Sequence, residues 1–411
     1  MTRQLIALLG RKDEPTDAVE EYCRYLGTAL QPHGFQMQIR RVPWELHGWR
    51  QSLRALRLQS AAWRDTWVLV QYTALAWSVR GFPLNFSRVL RLLKSFGARV
   101  AVVFHDVEPF SSPRLIDRLR HRVQSHTMRR VLKLVDLAVF TVPLCKLSWL
   151  PFIPTNAVYT DPTAPTNHKL DLKMLESLRG SIPPEELRRL EAGNTAADNP
   201  SPLMLRSHFI PVGPNLPIPE QWQSPHVPND IPTVGVFSIT GGEQGAIETQ
   251  IILATIQNVA KTVGKLRLSV FGRHAELRQE TLRKGFENYP VELSVDGVLG
   301  DEQIIDRIRR CDVLLFVRGG ISTRRGSAIA GISCAVPMVA FVGSETSWPF
   351  LDAGVILVSP SDPRGLNEAL LRLLSNPELR AGLSRVNQII YNEHFAWPVI
   401  ARRYAALLNS R

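Results

Sequence analysis

The stretch that constrains this chain most runs from residue 311 to 341, CDVLLFVRGGISTRRGSAIAGISCAVPMVAF. The apolar run 313–317 reads as a buried strand, Gly319-Gly320 as a turn, and the small residues that follow as a helix. Ala335-Val336-Pro337 then leads into a second apolar strand, 337–341. Two buried strands joined through a helix require a parallel sheet covered by helices, which sets the class as α/β. The same junction suits an anion. Glycine lets the backbone approach closely, first-turn N–H groups lack partners, and the helix dipole favours negative charge. Arg324 and Arg325 add forked donors that match phosphate. A buried crossover carrying two surface arginines has the same pattern, so the stretch by itself leaves both readings open.

With 411 residues the chain has room for two domains or more. Its 45% hydrophobic and 21% charged content is that of an ordinary soluble globular protein. The apolar run within MTRQLIALLG is too short for a signal-peptide core, and no stretch approaches the roughly 18 apolar residues that span a bilayer. Cys23, Cys145, Cys311 and Cys334 lie far apart, which suits reduced core residues of a cytosolic protein rather than zinc ligands or disulfides. The charge is uneven. Residues 1–146 hold 23 Lys+Arg against 11 Asp+Glu, and the remainder holds 26 of each. The whole net charge of +12 therefore sits in the first third, which calls for an anionic partner there: nucleic acid, a membrane surface or a phosphorylated acceptor.

Short apolar strands alternate with helices along most of the chain. The first series has strands at 4–9, 35–42, 66–71, 99–104 and 137–142. Helices are expected from Thr16 or Asp17 to about residue 30, then at 50–62, 85–96 and 113–135. Residues 151–232 break the rhythm with Pro, Thr and Asn, one charged helical piece (170–191), a strand at 208–212 and a Pro-rich linker. A second series follows, with strands at 234–239, 267–271, 291–295, 313–317, 337–341 and 355–358. Two consecutive Rossmann-like halves imply a bilobed enzyme whose site lies in a cleft at the carboxyl ends of the strands.

Several strand ends carry chemistry. His105-Asp106-Val107-Glu108-Pro109 directly follows an apolar strand. A His there can donate to a sugar or phosphate oxygen, and a carboxylate there can act as general base toward a hydroxyl. The loop 71–83, QYTALAWSVRGFP, places Tyr72, Trp77 and Arg80 at another strand end. Its aromatics either stack on a sugar face or anchor the loop. Gly241-Gly242 opens a helix from about residue 245, and Gly272-Arg273 follows the strand 267–271. Together with Gly319–Arg325, these loops converge on one edge of one sheet, as a diphosphate ligand needs. Helix 113–135 carries Arg114, Arg118, Arg122, Arg129 and Lys133 as a basic stripe, with Ile116, Leu119, Val123, Val131 and Leu134 on another face. That pattern fits a solvated helix packed on the sheet, or a peripheral contact with an anionic membrane.

Five segments, in order along nearly the whole chain, resemble the GT-B fold glycosyltransferases and are most similar to family 4, the retaining nucleotide-sugar group. They are Pro15-Thr16-Asp17 with Glu21-Tyr22-Cys23; Phe104-His105-Asp106; His208-Phe209-Ile210-Pro211-Val212-Gly213; Cys334-Ala335-Val336-Pro337-Met338-Val339-Ala340, which resembles the family's CGxPVVA segment; and Phe395-Ala396-Trp397 with Ile400-Ala401 and Tyr404. The family's paired glutamates fall, by alignment on Cys334, at Ser322 and Ala330. The usual Arg and Lys after the second domain's first strand are replaced by small and polar residues plus Glu243.

The resemblance implies two Rossmann-like lobes with a cleft between them and a C-terminal helix crossing back to the first lobe. The domains expected are 1–225 (acceptor-binding, with an insertion at about 155–205), 226–393 (nucleotide-sugar-binding) and 394–411 (the crossing helix). The activity expected is transfer of a sugar from a nucleotide-diphospho-sugar to a hydroxyl, with retention and without a metal. The nucleotide-sugar is a co-substrate, and no cofactor is expected. The donor set is Gly241, Gly242, Arg273, Gly320, Ser322, Thr323, Arg324, Arg325 and Gly326. The catalytic pair is His105 and Asp106, and the acceptor set is Thr16, Tyr72, Trp77, Arg80 and Glu108. The expected partners are the donor, a sugar or lipid-linked acceptor, and an anionic membrane surface through the helix 114–133. The location expected is cytoplasmic, with a peripheral contact at the inner membrane face. Two rivals remain. A non-catalytic glycosyltransferase-like subunit is favoured by the missing glutamates. A nucleic-acid-binding protein is suggested by the basic first third, but no recognition motif accompanies it, so no nucleic-acid partner is expected.

Overall fold

The computed structural model describes residues 2–14, 16–112, 114–150, 206–218 and 229–410. The insertion expected at 155–205, with its helical piece, lies outside the described residues. The chain forms two compact units. Among described residues, the first holds those up to 150, those from 206 to 215 and those from 397 onward; the second holds 216–396.

The first unit is built on a six-stranded parallel sheet in the order β2-β1-β3-β4-β5-β6. The strands are β1 (Arg3–Leu9), β2 (Phe35–Arg41), β3 (Trp67–Tyr72), β4 (Arg99–Phe104), β5 (Leu137–Phe140) and β6 (Ser207–Phe209). Every residue of β3 and β5, and all but Arg99 of β4, is buried, as expected of strands covered on both faces. The strand order reverses between β1 and β3. Asp17 starts α1 (Ala18–Leu30) by accepting from the N–H groups of Val19 and Glu20 at 3.1 Å each. Helix α2 spans Trp44–Ser60, several residues earlier than expected. It is broken at Gly48 (φ 71°, ψ 162°), so its two pieces do not share one periodicity. Helices α3 (Phe86–Ser95) and α4 (Leu115–Leu134) follow. In α4 the buried side chains include Asp117, Gln124, Met128 and Val131. Ile116 and Leu119, expected on its apolar face, are each 52% exposed. Polar anchors turn this helix. Arg120 pairs with Asp117, and Gln124 donates to the Gly81 carbonyl.

The C-terminal helix Trp397–Asn409 belongs to the first unit. The Trp397 indole donates to the Pro214 carbonyl at 2.8 Å, and the hydroxyls of Tyr404 and Tyr22 share a buried hydrogen bond of 2.8 Å. Gly213 lies under the indole, where an added Cβ would come 2.7 Å from the ring.

The second unit holds β7 (Thr233–Phe237), β8 (Leu266–Phe271), β9 (Val291–Asp296), β10 (Val313–Gly320), β11 (Met338–Phe341) and β12 (Val355–Val358), all parallel, in the order β12-β11-β10-β7-β8-β9. Here the order reverses between β7 and β10. Its helices are α5 (Gly242–Val263), α6 (Gln279–Phe286), α7 (Asp301–Arg309), α8 (Gly326–Ser333), α9 (Pro363–Ser375) and α10 (Pro377–Ile390). Gly319-Gly320 is not the expected turn. The strand continues through it after an irregularity, and Gly320 pairs with Phe341. A Cβ on Gly320 would lie 2.3 Å from the Gly343 Cα, so close backbone packing requires glycine there. Cys23, Cys311 and Cys334 are buried free thiols; burial pushes Cys311 and Cys334 up to about 12, which leaves them unreactive.

Candidate functional site

Open α/β sheets take ligands at the carboxyl ends of the strands where their order reverses. In the second unit that point lies beyond β7 and β10. The chain leaves β7 through Ser238, held at φ 67°, and enters α5 with Gly241 as cap; no side chain caps this helix. Gly242 has φ 65°, and an added Cβ there would meet nothing within 4 Å, so its surroundings are open. Gly245 instead presses on the Thr240 carbonyl, at 1.8 Å from an ideal Cβ. Beyond β10, α8 starts after Arg325, also without a side-chain cap, and Gly326 faces open space. Two helix N-termini with uncapped N–H groups thus meet the switch point, an arrangement suited to an anion.

Guanidinium groups surround it. Arg318 lies in β10 just before Gly319-Gly320, Arg325 stands at the N-cap position of α8, and Arg273 follows β8 after Gly272 (φ 94°). The Nε atoms of Arg318 and Arg325 are buried without a hydrogen-bond partner among the described residues. Burial, then the charges of Arg324 and Arg318, pull the Arg325 guanidinium down to about 10. Burial likewise lowers Arg318, with the Arg273 charge adding to the effect and Glu248 opposing it. Glu248 is wholly buried on α5 and accepts from the Thr240 N–H at 2.7 Å. Arg278 donates to the Gly242 carbonyl at 2.7 Å and fixes the loop. Half-buried guanidiniums whose Nε atoms lack acceptors, as in Arg318 and Arg325, are an arrangement suited to an anion.

Arg324 behaves differently from its neighbour. It was expected to supply phosphate charge, but it forms a forked pair with Glu345, Nε to Oε2 at 2.7 Å and Nη2 to Oε1 at 2.8 Å. Burial raises Glu345, but Arg324 and the Ser322 hydroxyl more than offset this and hold its carboxyl below the usual range. Ser322 and Thr323, expected to touch the donor, are 0% exposed and support the loop from beneath. Ala330 is buried in α8. The sequence reading missed Arg318, Glu248, Arg278 and Glu345. Only Arg318 carried a local signal, as a cation between an apolar strand and a Gly-Gly pair.

In the first unit the corresponding point lies beyond β1 and β3. A cavity of about 210 Å³ opens there, lined by Gly10, Arg11, Lys12, Asp17, Gln71, Thr73 and Asp106 among others. An added Cβ on Gly10 would lie 2.2 Å from the Ala76 carbonyl, so glycine lets the loop after β3 close against β1. The Asp106 carboxylate accepts from the Ala74 N–H at 2.8 Å, which aims it at the cavity wall. His105 Nε2 is 2.8 Å from the Gln71 Oε1, and its ring meets Tyr22 edge-on. Asp106 and His105, through Gln71, therefore gather at the cavity. The other expected acceptor residues do not line it. Trp77 is 1% exposed, donates to the Gln71 carbonyl at 2.8 Å and stacks near Trp49, so it anchors the loop. Tyr72 is packed between Phe86 and Phe104, and burial with the Asp106 charge raises its hydroxyl. Arg80 is exposed, Thr16 is half-buried beside Asp17, and Glu108 accepts from the Ser148 N–H and hydroxyl at 2.6 Å each. Among the described residues, no group of three or more His, Cys, Asp or Glu side chains is placed to hold a metal ion. No helix among them is long and apolar enough to cross a membrane.

No protein-family profile and no curated protein sequence matches the chain. Solved structures do. One is Anabaena HepE in complex with UDP and glucose, with a TM-score of 0.56 at 12% identity over all of both chains. A glycosyltransferase from Rickettsia africae ESF-5 matches with a TM-score of 0.57 at 12% identity, over 100% of this chain and 98% of that one. A Listeria monocytogenes protein described as a candidate UDP-N-acetylglucosamine 2-epimerase matches at 0.53 and 11% identity, over 100% and 96%. Two parallel α/β units, spanned end to end by these neighbours, give this chain the GT-B fold.

Proposed function

We propose that the protein is a glycosyltransferase that moves a sugar from a nucleotide-diphospho-sugar to a hydroxyl acceptor, with retention and without a metal. The observation that carries this is the switch point of the second unit, where Arg318, Arg325 and Arg273 surround two uncapped helix N-termini. That chemistry suits a diphosphate, and among the fold's neighbours HepE was solved with UDP and glucose. In the transfer, the bond between the sugar's anomeric carbon and the distal phosphate oxygen breaks, and one from that carbon to the acceptor oxygen forms. Negative charge grows on the departing diphosphate, and the guanidiniums with the α5 and α8 N–H groups stabilise it there. Asp106 takes the acceptor's proton, with His105 and Gln71 setting the wall of the acceptor pocket. The location that fits this reading is the cytoplasm.

A fold does not select a reaction, and an epimerase description occurs among the neighbours. The test is incubation with a panel of nucleotide-sugars and sugar acceptors, followed by NMR of the products. A new glycosidic signal with the donor's anomeric configuration is expected. An epimerised nucleotide-sugar without transfer, or donor left intact with every acceptor, would overturn the reading.

A further inference from the structure

The first unit displays an apolar tip inside a cationic face. Leu115 is 80% exposed, Leu84 64%, Val79 57%, and Ile116, Leu119 and Phe110 just over half. They come from three segments that are tied into one surface. Arg120 donates to the Arg80 carbonyl at 2.9 Å, Gln124 to the Gly81 carbonyl at 2.8 Å, and the Phe110 N–H to Gln124 Oε1 at 2.7 Å. The Arg120 guanidinium also lies over the rings of Phe82 and Phe110, at 5.6 and 5.4 Å. The leucines are therefore held outward by a fixed polar frame, and they are too many and too close together for ordinary surface scatter.

Charge identifies the occupant. Arg114, Arg118, Arg122, Arg129, Arg130 and Lys133 are all exposed, and the one acid of α4, Asp117, is buried and paired with Arg120. The outward ridge of α4 thus passes from Leu115 and Leu119 to Arg122, Arg129 and Lys133, apolar at its start and cationic beyond. We propose that this face docks on an anionic lipid bilayer, with Leu115, Ile116 and Leu119 entering the interface and the arginines on the headgroups. Nucleic acid would use the arginines but leave the leucines in water, and a protein partner would have to match an uninterrupted cationic rim. The loop that carries Val79 and Leu84 also lines the cavity through Thr73, Leu75 and Ala76. On the transferase reading, the acceptor is then an amphiphile whose hydroxyl lies at the membrane surface.

The test is flotation of the full chain with vesicles of phosphatidylcholine alone and of phosphatidylcholine mixed with phosphatidylglycerol. The expected result is flotation with the mixed vesicles only, reversed by high salt. The variant Leu115→Glu/Ile116→Glu/Leu119→Glu should stay in the dense fraction, with unchanged melting temperature and unchanged nucleotide response. Arg118→Glu/Arg122→Glu should lose most of the vesicle-bound fraction. Equal flotation of wild type and triple variant would overturn the proposal, as would no flotation of the wild type. A wild-type dimer broken by the triple variant would assign the face to a second copy, and salt-sensitive RNA binding without vesicle binding would assign it to nucleic acid. The docking proposal survives a failure of the transferase reading, because flotation requires no donor.

Discussion

The two switch points share a topology and differ in chemistry. Each lies where a six-stranded parallel sheet reverses its strand order, and each is bordered by glycine: Gly10 packed against the Ala76 carbonyl in the first unit, Gly242 and Gly326 facing open space in the second. In the first unit the polar groups are largely matched: Asp106 holds the Ala74 N–H, His105 meets Gln71, and Asp17 caps α1 while holding Arg41. In the second unit the half-buried Arg318 and Arg325 each keep a buried Nε without an acceptor among the described residues, and two helix N-termini lack side-chain caps. On the proposed function, topology sets where each ligand sits: the matched site positions a neutral reactant and moves a proton, and the site with excess positive charge takes an anion.

The contrast can be broken at several points. Asp106→Asn should lower the transfer rate by roughly 10²–10⁴-fold, the range of general-base losses, and leave the nucleotide-induced melting shift unchanged. A lost melting shift would merge the two sites. Trp397→Ala should destabilise the protein by about 3–5 kcal/mol, because the indole fills the space over Gly213 and holds the Pro214 carbonyl; denaturant unfolding measures it. Arg325→Met should do the reverse. Its folded-state pKa, about 10, lies below the ordinary 12.5, so folding disfavours its proton. That penalty is present below about pH 10 and fades as the pH rises toward 12.5. Removing the charge should therefore stabilise the nucleotide-free protein at pH 7 by about 1–3 kcal/mol while weakening nucleotide binding. The smallest effect concerns Glu345. Its lowered pKa contributes stability above the ordinary value of 4.5, and this is lost as the pH falls through the folded value. Glu345→Gln should flatten that part of the acid limb in a pH series of melting temperatures.

The sequence made much of this fold legible because strands buried on both faces read as continuous apolar runs. β4 and β12 were placed to the residue, and β10 was missed only at its end. What stayed hidden depends on distant partners. The Arg324–Glu345 fork joins residues 21 apart, so the paired arginines of the loop looked equivalent when one is neutralised and the other is not. The outward turn of Leu115 and Leu119 arises from polar ties between α4 and the loop at 80–81, which no periodicity within α4 contains. Trp77 looked like a ligand platform because a strand-end aromatic can serve either way, and its 1% exposure decides for the core.

On the proposed function, the second unit's switch point binds a nucleoside diphosphate through Arg318 and Arg325. Calorimetric titration of uridine, thymidine, adenosine and guanosine diphosphates into the wild type, Arg318→Ala/Arg325→Ala and Asp106→Asn tests it directly. At least one nucleotide should bind the wild type and Asp106→Asn alike, and the folded double variant roughly 100-fold or more weaker, as two lost charged hydrogen bonds require. Equal affinity in the folded double variant, or no binding to the wild type by any of the four, would contradict it.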